Sequence, residues 1–257
     1  MMSLTLETIP NLRPDEVHIW HASVGRLIQS AASADLRSVL TVAEECRISQ
    51  FQNGVARNEY IATRIFVRQL LSHYFPDTPP SAWNFKRNKY GKPRIERQIG
   101  GLGLEFNISH SHGVVLCALS VGVPIGVDVE LRGRPARWEE IAESLFSPQE
   151  VRELHRAESA DVHRKFFEHW TLKEAFIKAI GMGFSFPLQE FSVEVLGYDK
   201  VGIKFSDKID EDSSQWRFRL FEAVEGYQCA LAAKCGAGRE ISLVHMGTDS
   251  QLFSKAA

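Results

Sequence analysis

The stretch from Phe166 to Gly183, FFEHWTLKEAFIKAIGMG, limits what this chain can fold into more than any other. Phe166, Phe167, Trp170, Phe176, Ile177 and Ile180 spread large apolar groups round most of a helical cylinder. The spacing therefore predicts a buried helix, with Gly181 as its left-handed stop. Within it Glu174 and Lys178 lie one turn apart on one face, with Lys173 adjacent. A carboxylate and an ammonium are costly to bury unless they are paired or bound to something charged. A surface ion pair and a pair facing a cleft both meet that condition.

A second acidic element lies upstream. Pro124 to Glu130, PIGVDVE, alternates as a strand does, with Val127 and Val129 on one face and Asp128 and Glu130 on the other. Carboxylates about 7 Å apart along one side of a strand repel unless a cation lies between them or one holds a proton. Mg²⁺ takes oxygen ligands, typically one or two carboxylates completed by waters and substrate phosphates. An edge strand with a solvated acidic face is the other reading.

The formal charge of −2 gives no bias toward nucleic acid or membrane. Cys46, Cys117, Cys229 and Cys235 show no CxxC spacing and read as reduced thiols. The opening MMSLTLETIPNLRPDE lacks a signal-peptide pattern, and no apolar run is long enough to span a bilayer. The expected compartment is the cytoplasm.

In order, Val17–Val24 alternates as a strand. Ala34–Phe51 suggests a helical region, and Glu59–Phe75 is a stronger helix carrying Arg64 and Arg68, with Arg57 just before it and prolines after. Asn84–Arg94 is a basic loop, and its Gly91-Lys92-Pro93 turn makes Lys92 the best single candidate for an anion. Leu104–Val121 reads as a hairpin turning through His110-Ser-His-Gly113. Its two histidines make a poor zinc signature. His110 is preferred as a phosphate or base contact and His112 as a bystander. After a linker at Arg132–Arg137, Trp138–Phe146 is a short helix, and Ser147 with Pro148 and Glu150 forms a capping box. A break is expected at Ala157–Ala160 before the apolar helix. Four alternating runs follow, at 191–195, 201–205, 216–221 and 228–233, and then a polar, frayed tail from Gly247. The fold class expected is α+β, in two similar halves, each a small antiparallel sheet packed with helices, divided as residues 1–123 and 124–257.

Gly91-Lys-Pro93, Phe106-Asn-Ile-Ser-His-Ser111, Pro124–Glu130, Phe146–Glu150 and Trp170-Thr-Leu-Lys-Glu-Ala through Gly183 together resemble the ordered signature of the 4′-phosphopantetheinyl transferases, specifically the monomeric surfactin-type class. The resemblance covers most of the chain. It implies transfer of the phosphopantetheine arm of coenzyme A to a serine of an apo acyl or peptidyl carrier protein, with release of adenosine 3′,5′-bisphosphate. It further implies Mg²⁺, or Mn²⁺, held by Asp128, Glu130 and Glu174, and Glu174 as base for the carrier serine, directly or through water. Lys178 would neutralise the pyrophosphate. His110, Ser109 and Lys92 would lie near the pyrophosphate, adenosine and 3′-phosphate, with Lys173 beside the site. Some relatives place basic residues where this chain has Glu44 and Glu59, which leaves Arg47 and Arg57 as candidates for that end of the nucleotide. The segment Met182–Phe186 reads either as carrier-docking surface or as a packing turn. A metal-dependent phosphohydrolase and a non-catalytic carrier-binding homologue are the rival readings.

Overall fold

The apolar helix runs from Ser159 to Ile180 in a computed structural model that describes residues 12–33, 36–96 and 103–248. The readings of the opening segment up to residue 11 and of the tail beyond 248 lie outside the described residues. In chain order the elements are β1 (Glu16–Ser23), α1 (Val24–Ser33), α2 (Val42–Ser49), α3 (Gly54–Tyr74), β2 (Phe85–Arg87), β3 (Pro93–Ile95), β4 (Leu104–Ser111), β5 (Val114–Val121), β6 (Ile125–Leu131), α4 (Trp138–Leu145), α5 (Pro148–Arg156), α6 (Ser159–Ile180), β7 (Phe191–Gly197), β8 (Lys200–Phe205), β9 (Trp216–Phe221), β10 (Tyr227–Lys234) and β11 (Ser242–Thr248).

The architecture is α+β. One sheet has the order β11-β1-β5-β4 and another β6-β10-β9, with β2–β3 and β7–β8 as short ribbons. The apolar stripe of α3, with Ile61, Ile65, Phe66 and Leu70, packs on Trp20, Val115 and Leu119 of the first sheet. On the second sheet α6 packs through Leu172, Ala175 and Phe176 against Leu220 and Ala230. The Phe176 ring lies 4.7 Å from both Phe191 and Trp216, centroid to centroid. A further apolar cluster draws Ile19 and Leu116 from the first sheet together with Val127 and Leu231 from the second, joining the two.

Several boundaries differ from expectation for local reasons. Val24, read as the end of the first strand, instead opens the helix Val24–Ser33. The region 34–51 divides into a 3₁₀ turn at Leu36–Ser38 and α2, whose start is fixed by a Thr41–Glu44 capping box; Ala34 and Asp35 lie outside the described residues. The capping box at Ser147 and Glu150 forms as read. The break before α6 is confined to Ala157–Glu158. The hairpin turn is His112-Gly113 alone, both with positive φ, 45° and 86°; Ser111 pairs with Val114, so β4 is longer than read. This two-residue turn is the tight kind that matches strand twist. Gly247 and Thr248, read as tail, belong to β11, which pairs in parallel with β1. A strand from beyond residue 124 thus completes the first sheet.

The close seat of α6 on β6 depends on Gly126. A Cβ there would lie 2.0 Å from the Ala175 carbonyl oxygen and 2.4 Å from the Ala179 nitrogen, distances that backbone cannot yield. Gly126→Ala is expected to cost about 3 kcal/mol or more, read in a thermal melt as a Tm lower by about 10 °C. An unchanged Tm would mean that helix and strand can separate freely. The far end of α6 is fixed from the first half. Lys92 Nζ donates to the Ala179 and Ile125 carbonyls at 2.8 and 3.1 Å, and Asn88 Nδ2 donates to the Gly181 carbonyl at 2.7 Å.

Candidate active site

β4 and β6 are the facing edges of the two sheets, and side chains rather than a backbone ladder connect them. Alternation puts Asn107, Ser109 and Ser111 on one side of β4. Asn107 Oδ1 accepts the Val127 N–H at 2.9 Å, Ser109 Oγ donates to Asp128 Oδ1 at 2.7 Å, and Ser111 Oγ donates to Glu130 Oε2 at 2.8 Å. From the other side α6 presents a row at i, i+4 and i+8, namely Trp170, Glu174 and Lys178. Lys178 Nζ lies 2.5 Å from Asp128 Oδ1 and 2.9 Å from Ser109 Oγ. Trp170 Nε1 donates to Glu130 Oε1 at 3.1 Å. Arg134, in the turn after β6, grips both oxygens of Glu130 at 3.0 Å.

The charges are unevenly matched. Asp128 is buried, and burial pushes its carboxyl up against the opposing pull of Lys178. Glu174 is pushed up to about 7, by burial first and then by the charge of Asp128. Asp128 Oδ2 and Glu174 Oε1 are buried without a hydrogen-bond partner. Such orphaned acceptors are rare in a folded interior and call for a proton or a cation. Two open carboxylate oxygens in one cleft fit a hard divalent ion that keeps the rest of its shell for water and phosphate. Among the described residues no three acidic, histidine or cysteine side chains form a ready metal sphere, and Glu130 is hydrogen-bonded by Arg134, Ser111 and Trp170. The cleft opens into a cavity of about 260 Å³ bordered by Gly91, Asn107, Glu174, Lys178 and Phe184.

Of the residues singled out from sequence, Ser109, Asp128, Glu130, Glu174 and Lys178 are brought together. Lys173 is not. It is fully buried on a different side of α6, where its ammonium meets Glu150 Oε2 at 2.9 Å and the Leu188 and Phe191 carbonyls at 2.8 Å each. All three N–H bonds are spent, so its expected place beside a bound phosphate is corrected to a structural one. Lys92 borders the cavity, but two of its N–H bonds hold carbonyls, and burial pulls its pKa down. His110 is half exposed on the opposite face of β4, with Nδ1 3.8 Å from Glu59 Oε2. Among the described residues it shares no hydrogen bond with Asp128, Glu174 or Lys178, so its expected part in the chemistry at those groups is not supported by this geometry. Arg47 and Arg57 are exposed on α2 and α3, and Arg47 lies over the Phe51 ring. Glu44 is a buried strut that binds Arg68 Nε at 2.9 Å. Sequence reasoning missed Ser111, Arg134 and the polar role of Trp170. The period-two spacing of Ser109 and Ser111, matched to that of Asp128 and Glu130, was the available signal.

The profile of the 4′-phosphopantetheinyl transferase superfamily matches residues 124–232, and that of the 4′-phosphopantetheinyl transferase N-terminal region matches residues 24–121. The chain is 31% identical over 186 residues to 4′-phosphopantetheinyl transferase HetI of Nostoc, covering 72% of this chain and 77% of the relative. It is 33% identical over 191 residues to 4′-phosphopantetheinyl transferase Sfp of Bacillus subtilis, covering 74% and 79%. Against the L-aminoadipate-semialdehyde dehydrogenase-phosphopantetheinyl transferase of Mus musculus it is 26% identical over 252 residues, covering 92% and 81%.

Proposed function

The chain belongs to the 4′-phosphopantetheinyl transferases of the surfactin type, enzymes that place phosphopantetheine on carrier proteins, and from that membership we propose the rest of its chemistry. Coenzyme A is the donor, a serine of an apo acyl or peptidyl carrier the acceptor, and adenosine 3′,5′-bisphosphate the leaving product. The observation that carries this reading is the row Glu174–Lys178 laid against Asp128 at the border of the cavity, with one unpartnered buried oxygen on each of Asp128 and Glu174.

Glu174 receives the proton of the carrier serine, directly or through a water, as its oxygen attacks the phosphorus on the pantetheine side of the pyrophosphate. The bond to the bridging oxygen breaks, and the electron pair leaves with the adenosine bisphosphate. Lys178, held by Asp128 and Ser109, supplies positive charge to the phosphate oxygens as the negative charge shifts toward the leaving group. Asp128 and Glu174, with Glu130 beside them, would hold Mg²⁺ or Mn²⁺. When bound, that ion supplies charge neutralisation at the pyrophosphate oxygens. Backbone at Gly91 and the ammonium of Lys92 border the nucleotide end, and Arg47 and Arg57 are the remaining cations for the 3′-phosphate. No helix among the described residues is long and apolar enough to cross a membrane. We read the protein as cytoplasmic and monomeric, in two halves that divide near residue 124, with β11 (Ser242–Thr248) returning to the sheet of the first.

Intact mass of an apo carrier after incubation with the protein, coenzyme A and Mg²⁺ tests the reading. A gain of one phosphopantetheine, lost with EDTA, is expected. Cleavage of coenzyme A in the absence of any carrier would favour a hydrolase instead.

A further inference from the structure

We infer that a second binding site lies on a different side of α6 from Glu174 and Lys178, a pocket that takes a primary ammonium group carried on a short apolar body. The pocket, of about 270 Å³, lies where α5, α6 and the turn between β7 and β8 meet, and Glu153, Glu168, His169, Leu196 and Tyr198 border it. It shares no bordering residue with the cavity at Glu174 and Lys178. Two rungs tie α6 to α5. Lys173 and Glu150 form a closed one, in which every N–H of the ammonium has an acceptor. One turn earlier on α6, His169 meets Glu153 with Nε2 and Oε2 3.6 Å apart, too far for a hydrogen bond. His169 is 4% exposed, and its Nε2 is buried without a hydrogen-bond partner. Nδ1 lies 2.9 Å from the Lys165 carbonyl, which only accepts, so Nδ1 carries the ring proton. Nε2 of the neutral ring is then a bare acceptor facing a carboxylate, and two buried acceptors call for a donor between them.

The surroundings favour a cation as that donor. Arg164 is spent, with Nη2 and Nε on Asp161 Oδ1 at 3.0 and 3.3 Å and Nη1 on Glu168 Oε1 at 2.7 Å. Asp161, Glu168 and Glu153 therefore set three negative charges against the two positive ones of Arg164 and Lys165, and one negative charge is left over. Gln149 Nε2 donates to Glu153 Oε1 at 3.1 Å and leaves Oε2 to face His169. The Glu153 side chain is 40% exposed, so it can draw back to admit an ammonium between itself and Nε2. The Phe146 ring stacks on the imidazole, with 6.1 Å between centroids and 29° between planes, and holds Nε2 in place. The rim suits the apolar body. β7 slips register between Val195 and Gly197 and leaves Leu196 outside the ladder, a device that re-aims a side chain. Leu196 and Tyr198 are both large, exposed side chains beside the polar floor, and a tyrosine ring also attracts cations. A free amine and the side chain of a lysine both carry this chemistry.

The test is a titration of the full chain at pH 8 with phenethylammonium and, separately, with Nα-acetyl-lysine methylamide, followed in two-bond ¹H–¹⁵N spectra of the imidazoles. The free protein is expected to show an unprotonated His169 Nε2, and a saturable shift of that nitrogen reports binding. Phenethyl alcohol, which keeps the shape without the charge, is expected to bind at least about tenfold more weakly. Glu153→Gln and His169→Leu, followed through the Gly197 amide, each weaken the amine at least about tenfold, whereas Glu174→Gln leaves its Kd within about twofold. The tighter of the two amines identifies the source. The inference is overturned if neither amine binds, if the alcohol binds as well as the amine, or if Glu174→Gln weakens binding as much as Glu153→Gln does. A proton on Nε2 of the free protein at pH 8 overturns it too, since the imidazolium would then supply the missing charge itself. Should His169→Leu not fold by circular dichroism, Glu153→Gln, which alters the more exposed member of the pair, decides.

Discussion

Glu174→Gln is expected to reduce carrier modification by at least about 100-fold and at the same time to raise the melting temperature of the metal-free protein. The same carboxylate accounts for both effects. Its oxygen is buried without a partner, and burial with the neighbouring Asp128 charge lifts its folded-state pKa from the ordinary 4.5 to about 7. The folded protein thus holds this proton more tightly than the unfolded chain does. That contribution to stability is whole below about pH 4.5 and is lost as pH rises through 7. Glutamine carries no charge to strand, so it keeps what the wild type loses. The difference in Tm between variant and wild type should be small at pH 4.5, open above pH 5 and level off near pH 8. Differential scanning calorimetry in EDTA across that range measures it. A variant that melts lower than wild type at pH 8 would mean that the Glu174 carboxylate is satisfied in the fold.

Lys173→Ala carries the largest stability loss we expect from a single side chain, about 3–5 kcal/mol, against a whole-domain stability of roughly 5–15 kcal/mol. Removing the ammonium leaves Glu150, itself fully buried, without its counter-charge, and strips the Leu188 and Phe191 carbonyls of a donor. Glu150 also closes the cap of α5 through the Ser147 N–H and accepts the Val193 N–H, so the damage reaches an α5 terminus and the start of the β7–β8 ribbon. Lys173→Met with Glu150→Gln should recover part of the loss, since it removes both charges and keeps the volume. Urea unfolding reports the free energies. KM for coenzyme A, measured where the single variant is still folded, should be unchanged. A normal midpoint with a raised KM would return Lys173 to the substrate.

These two lysines show what the sequence could and could not convey. Lys178 follows Glu174 by one turn, so helical geometry alone put the two on one face, and the structure keeps them there. Lys173 is only one residue from Glu174, which swings it about 100° round the helix into the core. On a helix apolar on nearly every side, neighbours in sequence do not share an environment. The strand character of β6, the Ser147 cap and the hairpin were local patterns and were legible. The meeting of β4 with β6 was not, because it depends on pairs 19 residues apart whose serines look like ordinary strand polar residues. Arg134 looked like linker, since nothing near it in sequence reports the Phe167 ring or the Trp170 indole. Glu44 occupied a position where a basic residue was wanted. Its role as a partner for Arg68 could be seen only once α2 and α3 were side by side.

The return of β11 to β1 has a consequence for how the chain is made. A ribosome releases β5 with Val121, yet the strand that covers the open side of β1 ends at Thr248, 127 residues later by 248 − 121. At about 5–20 residues per second the nascent first sheet waits roughly 6–25 seconds with an unpaired β1 edge, and unpaired edges recruit other strands. The two halves therefore cannot mature one after the other. The amino-terminal sheet closes only after α6 has been synthesised, so a nascent chain that stalls between them presents a sticky edge rather than a finished domain.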